Sequence, residues 1–406
     1  MRKILLLVLL VALVAMPMLA QDDEGPARTG LRPDAPPYAI RGPHWVGVME
    51  MVIDDAERPI PVTVWYPALN PENSPQQITY SIDYPPSFVG LISEGHALAD
   101  AVPDDTQGPY PLVLYSHGLW MYRLQSTFFT EHLASHGFVV MAMDHVGETT
   151  SNVGEDFWWS YVQRPLDVQI VIDYAEELAA SDHALSRLID TNQIAVTGHS
   201  SGGFTALLAA GIQMNFDSFA DWCEQYAHTN ELSGCDTLPF VQAEMAEIAG
   251  LDTVPDGLWP SLGDARVDAI VALSPDTNIF CHDSLAAASI PSLFLVGGSE
   301  TVLPTEFNLY PLYASLGSPH KAMVTLDGGD HHLFVDACAR TPWMVDFDLF
   351  WLCSDAVWDM DRAHDLTNHF ATAFLLAELY GDEDARAMLA PDAVSFPGIG
   401  YEAVGY

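Results

Sequence analysis

The chain has 406 residues, with 14 Lys and Arg against 55 Asp and Glu, which gives a formal net charge of −41 at pH 7. Such a charge repels phosphate backbones and anionic bilayers, so it excludes nucleic acid as a partner. Hydrophobic residues make up 49% of the chain, which is enough for a large buried core and excludes a disordered protein.

The N-terminus predicts a secretory signal peptide over residues 1–20. Two basic residues precede an apolar run over residues 4–15, and acidic residues follow at 22–24. The apolar run is shorter than the ~20 residues that a bilayer requires. We therefore expect a secreted protein, extracellular or periplasmic, with no stable membrane insertion of the mature chain. Residues 21–43, rich in Pro and Asp, are predicted to form a loose lead-in.

Short apolar runs alternate with helical stretches from residue 44 onward. The runs 46–52 and 60–66 flank a polar turn and predict a hairpin. Further strands are predicted at 110–115, 138–143, 194–196, 267–273, 291–296 and 322–326, and helices at 166–180, 305–316 and 365–380. The last helix is predicted to close the fold, ended by Gly381. This alternation predicts an α/β fold with a mostly parallel sheet and helices on both faces, over 44–406.

Residues 214–266 interrupt this rhythm with a long, aromatic-rich connection. A long segment within a compact domain usually has its own structure or a role in function. We interpret it as a helical cap insertion over the site, and the alternative is an insertion that packs elsewhere.

The chain has five cysteines, and export permits disulfides. Proximity in the sequence favours the pairs Cys223–Cys235 and Cys338–Cys353, which leaves Cys281 free. The cysteine spacings match no zinc pattern, so no structural metal is expected.

The most informative motif is Gly-x-Ser-x-Gly around Ser200. It follows the apolar run 194–196 and precedes the helical stretch 204–210. This strand–turn–helix context predicts a nucleophile elbow, in which Ser200 is presented at the end of the sheet and Gly198 and Gly202 leave room for a tight turn. The alternative is an ordinary Gly-rich turn with a solvated serine.

A serine hydroxyl needs a neighbouring base to become a nucleophile. His331 follows the last predicted strand in a Gly-rich loop and is favoured over its neighbour His332. A carboxylate should orient the imidazole, and two loops between the serine and the histidine offer one. We favour Glu300, after the later strand, and keep Asp276, after the earlier strand, as its rival.

An oxyanion hole requires two backbone N–H donors. The amide of Ser201, directly after the nucleophile, is one candidate. The other is the amide of Leu119, in the His117-Gly118 turn that follows the strand 110–115. An ordinary turn at a strand end is the alternative for this second loop.

These motifs together resemble the secreted α/β-hydrolases related to type II platelet-activating-factor acetylhydrolase and the dienelactone-hydrolase-like esterases. The resemblance runs from about Val46 to Tyr380. It is carried by residues 61–68, 115–119, 132–140, 198–203 and 328–334. It implies the α/β-hydrolase fold, with Ser200 and His331 as nucleophile and base and with Leu119 and Ser201 at the oxyanion positions.

The acid departs from that pattern. The dienelactone-hydrolase-like relatives carry aspartate where this chain has Glu300, whereas the acetylhydrolase carries aspartate at the position of Ser274, two residues before Asp276. Segment 214–266 has no counterpart in the acetylhydrolase.

We therefore expect a serine carboxylesterase that needs no cofactor or metal and acts on short-acyl small-molecule or lipid esters, phospholipid acetyl esters included. A cap over the site would favour short-acyl esters over a lipase- or cutinase-like reaction on long-chain or polyester substrates. The absence of an evident apolar docking segment points in the same direction. A catalytically silent binding module of the same fold is the alternative from another class.

Overall fold

The computed structural model describes residues 25–54, 58–82, 91–149, 157–229 and 234–406, so the predicted signal peptide lies outside the described residues. The strands are β1 (Trp45–Ile53), β2 (Ile60–Ala68), β3 (Ile78–Ile82), β4 (Leu91–Gly95), β5 (Leu98–Ala99), β6 (Tyr110–Ser116), β7 (Val139–Met143), β8 (Ile189–His199), β9 (Ala269–Leu273), β10 (Ser292–Gly297), β11 (Lys321–Leu326) and β12 (Ile399–Val404). The α-helices are α1 (Thr127–Ser135), α2 (Ser160–Ala179), α3 (Ser201–Ala209), α4 (Phe216–Tyr226), α5 (Gln242–Ile248), α6 (His282–Ala287), α7 (Leu309–Ser315), α8 (Pro342–Asp346), α9 (Met360–Leu375) and α10 (Glu383–Ala387). No helix in those ranges is long and apolar enough to cross a membrane.

Ten strands form one sheet in the order β12-β11-β10-β9-β8-β6-β7-β2-β1-β5. Strands β6 to β11 run parallel to their neighbours among themselves, while β1 and β2 form the predicted antiparallel hairpin. Because parallel strands share the direction of their carboxyl ends, the loops after β6, β8, β9, β10 and β11 meet at one edge. This is the predicted α/β-hydrolase fold.

Each face of the sheet has its own hydrophobic core. Side chains alternate along every strand, so that Val113 and Leu114 of β6 belong to different cores. One core packs against α2 and α3, and the other packs against α1 and α9. The strands are buried on both sides, which explains why their sequences are short uninterrupted apolar runs.

Residues 25–43, the described part of the segment predicted as a loose lead-in over 21–43, are held by hydrogen bonds to two helices. The backbone N–H of Leu31 donates to Oδ1 of Asp365 on α9 at 2.9 Å. The N–H of Gly42 donates to Oγ of Ser135 on α1, also at 2.9 Å. Acceptors on two helices therefore fix a stretch that lacks apolar periodicity of its own.

The C-terminal region is longer and more complex than the predicted closing helix 365–380. Helix α9 begins five residues earlier, where the Asp359 side chain accepts from the N–H of Arg362, and Gly381 ends the helical stretch with a φ of 66°. The chain then continues through α10 into β12, which pairs antiparallel with β11. Gly and Glu residues weaken the strand pattern of 399–404, which is why sequence patterning missed β12.

Both predicted disulfides are confirmed, Cys223–Cys235 and Cys338–Cys353, and Cys281 is free. Two disulfides are typical of proteins that reach an oxidising compartment. The first joins the end of α4 to the stretch that follows it, within segment 214–266, which contains α4 and α5. The second closes a loop of the chain between β11 and α9.

Candidate active site

Ser200 lies in a sharp turn between β8 and α3. Its backbone has φ 56° and ψ −119°, a strained conformation for a residue with a side chain. A Cβ on Gly202 would lie 1.9 Å from the carbonyl oxygen of Ser116, and a Cβ on Gly198 would lie 2.5 Å from the carbonyl carbon of Gly202. Only glycine fits these two positions, so the local geometry is that of a nucleophile elbow.

The turn opens into a cavity of about 650 Å³ at the carboxyl edge of the sheet. Its lining includes nearly all the side chains and loops that the sequence singled out. These are Leu119, Ser200, Ser201, Asp276, His331 and His332. The fold therefore brings together loops that follow β6, β8, β9 and β11, and Glu300 lies behind the cavity wall.

His331 and Glu300 form a buried pair. Nδ1 of His331 hydrogen-bonds to Oε1 of Glu300, and the two side chains are only 4% and 1% exposed. His331 begins a short 3-10 turn whose first N–H is capped by Asp330 at 2.8 Å. Burial raises the pKa of Glu300, and the adjacent imidazole opposes that rise. The carboxylate is thus placed to fix the tautomer in which Nε2 is available as a base.

Asp276 lies in the same cavity with different partners. Its Oδ2 accepts a hydrogen bond from the hydroxyl of Tyr161 at 3.1 Å, and its Oδ1 accepts from the N–H of Asn278 at 3.4 Å. Burial raises the pKa of this carboxyl group. Of the two candidate acids, the structure brings Glu300 and not Asp276 into contact with the imidazole of His331.

His332 has a different environment from its neighbour. Its ring packs edge-on against Trp351, with ring centroids 5.2 Å apart. Burial lowers its pKa to about 3, and the charge of His331 acts in the same direction. Across the described part of the chain, no three His, Cys, Asp or Glu side chains are grouped as metal ligands.

Sequence reasoning missed a side-chain bridge beneath the site. The N–H of Gly118 donates to Oε1 of Gln125 at 2.7 Å, and Nε2 of Gln125 donates to Nδ1 of His199 at 2.6 Å. Nε2 of His199 then donates to the carbonyl oxygen of His331 at 2.9 Å. This chain of bonds joins the loop of Leu119, the elbow and the histidine loop. Only the position of His199 beside the nucleophile could have indicated it.

A second set of a serine, a histidine and a carboxylate lies under the loop after β6. Oγ of Ser116 hydrogen-bonds to Nε2 of His145 at 2.8 Å, and Nδ1 of His145 hydrogen-bonds to Oδ2 of Asp167, also at 2.8 Å. The three residues are fully buried, and none of them lines the cavity. Burial lowers the pKa of His145 to about 4, so its imidazole is neutral at pH 7. This set supports the loop and has no access to substrate.

The outer wall of the cavity comes from residues after β11. Trp343 and Met344 of α8 line it together with four apolar side chains of the following loop: Phe347, Leu349, Trp351 and Leu352. Phe347 and Trp351 are 44% and 59% exposed, so aromatic surface surrounds the mouth. This aromatic surface corrects the expectation drawn from the absence of an evident apolar docking segment. Its residues lie close together within 343–352, but they follow no helical or strand period.

Segment 214–266, predicted to be a cap, contributes none of its described residues to the cavity wall. Phe216 and Phe219 of α4 instead pack into the core on the α2–α3 face. Trp259 packs against Phe216 in a tilted arrangement, with ring centroids 5.2 Å apart. The described residues of this segment therefore pack on the α2–α3 face and do not line the cavity at Ser200.

The chain is similar to known proteins in both sequence and structure. Residues 92–219 match the model of the Chlorophyllase family, which is less than half of the chain. Platelet-activating factor acetylhydrolase of Canis lupus familiaris is 30% identical over 155 residues, a match that covers 28% of this chain and 35% of that protein. The sequence match therefore spans about a third of that relative's length.

A solved structure extends the similarity to most of the chain. Ferulic acid esterase from Streptomyces cinnamoneus superposes with a TM-score of 0.55 at 20% identity. The match covers 88% of this chain and 95% of that structure. At this identity the likeness establishes the fold, and it agrees with the sheet topology described above.

Proposed function

We propose that the chain, which has the α/β-hydrolase fold and is similar in sequence to an acetylhydrolase, hydrolyses carboxylic esters through an acyl-enzyme on Ser200. The observation that carries the proposal is the His331–Glu300 pair. His331 lines the same cavity as Ser200, and Glu300 hydrogen-bonds to His331 from behind the cavity wall. Acyl transfer requires a serine in a strained elbow, a buried carboxylate and an imidazole, and this chain has them in the order Ser200, Glu300, His331.

In the proposed mechanism, Nε2 of His331 takes the proton of the Ser200 hydroxyl as Oγ attacks the ester carbonyl. Glu300 holds the ring and stabilises the imidazolium that forms. The amides of Leu119 and Ser201 donate to the oxyanion of the tetrahedral intermediate. The imidazolium then protonates the leaving alcohol, and water releases the acid by the reverse path. No step requires a metal or a cofactor.

For the substrate, we propose esters with short acyl groups, acetyl esters of phospholipids included. The similarity to an acetylhydrolase supports this class, as does a cavity walled mainly by apolar side chains. A lipase- or cutinase-like reaction on long-chain or polyester substrates is the second candidate. The exposed aromatic rings of Phe347, Phe350 and Trp351 beside the mouth favour it, because such rings would contact an apolar chain or surface.

The test is hydrolysis of p-nitrophenyl esters from acetyl to palmitoyl, by the mature protein and by Ser200→Ala. Activity that peaks at acetyl and butyryl and disappears in the variant supports the short-acyl esterase. A peak at long chains moves the proposal to the second candidate. A silent binding module predicts no turnover and no labelling of Ser200 by a fluorophosphonate, and that result would overturn both esterase proposals.

A further inference from the structure

A second cavity lies on the α1–α9 side of the molecule, at the ordered lead-in. It has a volume of about 540 Å³, and none of its lining residues borders the catalytic cavity. Arg41 and Arg340 line it together with two histidines and several amide and hydroxyl side chains. Among the residues that the structure describes, no Asp or Glu lines this cavity, although the chain has 55 of them. The described lining of this cavity thus contains arginines and no carboxylate, in a strongly acidic protein.

The two arginines differ in how their charge is compensated. Nη1 of Arg340 pairs with Oε2 of Glu131 at 3.0 Å, and it also donates to the hydroxyl of Thr127 at 2.9 Å. Among the described residues, Nη2 of Arg41 donates to two neutral acceptors, Oε1 of Gln76 at 3.2 Å and the carbonyl of His96 at 3.0 Å. Within the described residues, Arg41 has no ion pair, and its Nε is buried without a hydrogen-bond partner.

Glu131 faces both arginines from α1, and its oxygens are already occupied. Oε1 accepts from the hydroxyl of Tyr80 and from the N–H of His96, each at 2.8 Å, while Oε2 holds Arg340. Burial lowers the pKa of Arg41, and the neighbouring charge of Arg340 adds to that effect although Glu131 opposes it. A buried guanidinium that keeps its charge without a paired anion is costly, so an anion entering the cavity would relieve that cost.

The rest of the lining indicates what kind of anion fits. Phe128 and Ala39 are buried apolar side chains of the wall, and Trp45 at the start of β1 adds an indole. Burial lowers the pKa of His132 well below its usual range, so this histidine adds no positive charge at pH 7. The guanidinium fork matches a planar carboxylate, and the aromatic walls match an apolar group attached to it.

We propose that this cavity binds a small organic carboxylate, with Arg41 as its main anchor. Arg340 is already paired with Glu131, so it attracts the carboxylate through its positive charge more than through direct hydrogen bonds. The inference is independent of the reaction at Ser200, because it concerns a different cavity and different residues.

The test is isothermal titration calorimetry with benzoate, using benzamide as the neutral analogue and inorganic phosphate as a compact anion. We expect benzoate to bind one to one and more tightly than either control. Arg41→Gln should weaken binding by about tenfold or more, because it removes charge-assisted hydrogen bonds. Arg187→Gln removes the same charge at a side chain that is 82% exposed and does not line the cavity, and it should leave the affinity unchanged.

A second variant protects the test against misfolding of Arg41→Gln. Ser74→Trp fills the cavity and keeps both arginines, so it should also weaken benzoate binding. Circular dichroism checks that each variant is folded. The proposal is overturned if benzoate binds folded Arg41→Gln or Ser74→Trp as tightly as wild type, if phosphate binds more tightly than benzoate, or if no benzoate binds at ~10 mM.

Discussion

Nε2 of Gln125 lies 2.6 Å from Nδ1 of His199, and neither side chain belongs to the catalytic set proposed above. The bond determines the tautomer of His199, because Nδ1 must accept and Nε2 must donate to the carbonyl of His331. Burial lowers the pKa of His199 well below its ordinary value, which keeps the ring neutral as this pattern requires. Two loops of the site are thereby held to the elbow by one neutral bridge.

We expect Gln125→Leu to lower kcat by about 10- to 100-fold with little change in KM, because small displacements of catalytic loops are costly. Gln125→Glu should behave similarly, since a carboxylate can still accept from Gly118 but cannot donate to His199. Gln169→Leu is the matched control, because that amide bonds only to a backbone carbonyl of Leu262 at 2.8 Å. Equal kcat in all these variants, measured on a p-nitrophenyl ester, would contradict the prediction.

Glu300→Gln should lower kcat by roughly 10³-fold, because the amide can present the wrong group to Nδ1 of His331 and cannot stabilise an imidazolium. Asp276→Asn should cost less than about tenfold, because that carboxylate bonds to Tyr161 and not to the histidine. Steady-state kinetics of the two variants side by side decide the matter. The reverse order of the two losses would transfer the role of the acid to Asp276.

The two disulfides should have separable effects. They close loops of similar length, 15 residues for Cys338–Cys353 and 12 for Cys223–Cys235, so removing either pair should cost about 3 kcal/mol of stability. Only the Cys338–Cys353 loop includes the cavity wall, so only the double Ala variant of that pair should raise KM. A raised KM in the variant of the other pair would instead place the 214–266 segment over the site.

Acid should destabilise the protein through buried neutral histidines. Burial lowers the pKa of His136 to about 4 in the fold, against about 6.5 when unfolded. The unfolded state therefore binds the extra proton between those values. The contribution of neutral His136 to the free energy of unfolding is fully present above about pH 6.5. It declines as pH falls toward 4, by roughly 3 kcal/mol. Denaturant unfolding at several pH values should show a shallower decline for His136→Gln than for wild type.

Much of the fold could be predicted because each central strand is an apolar run buried on both faces, as for 110–115 and 322–326. The elbow could be predicted because sterics allow only glycine at 198 and 202. Burial of Gln125 beside His199 could not be predicted, since 74 residues separate them along the chain. The cavity wall could not be predicted for another reason, because its aromatic residues lie close together but follow no helical or strand period. The lead-in could not be predicted because it is held by acceptors on helices distant in the sequence.

The histidine paired with Glu300 and the outer wall of the cavity belong to one continuous stretch, residues 331–352, most of it within the loop that Cys338 and Cys353 tie together. The elbow and the loop of Leu119 come from other parts of the chain. Exchanging this stretch with that of a related hydrolase would therefore change the shape of the outer cavity wall in one step. The nucleophile and the sheet that supports it would stay unchanged.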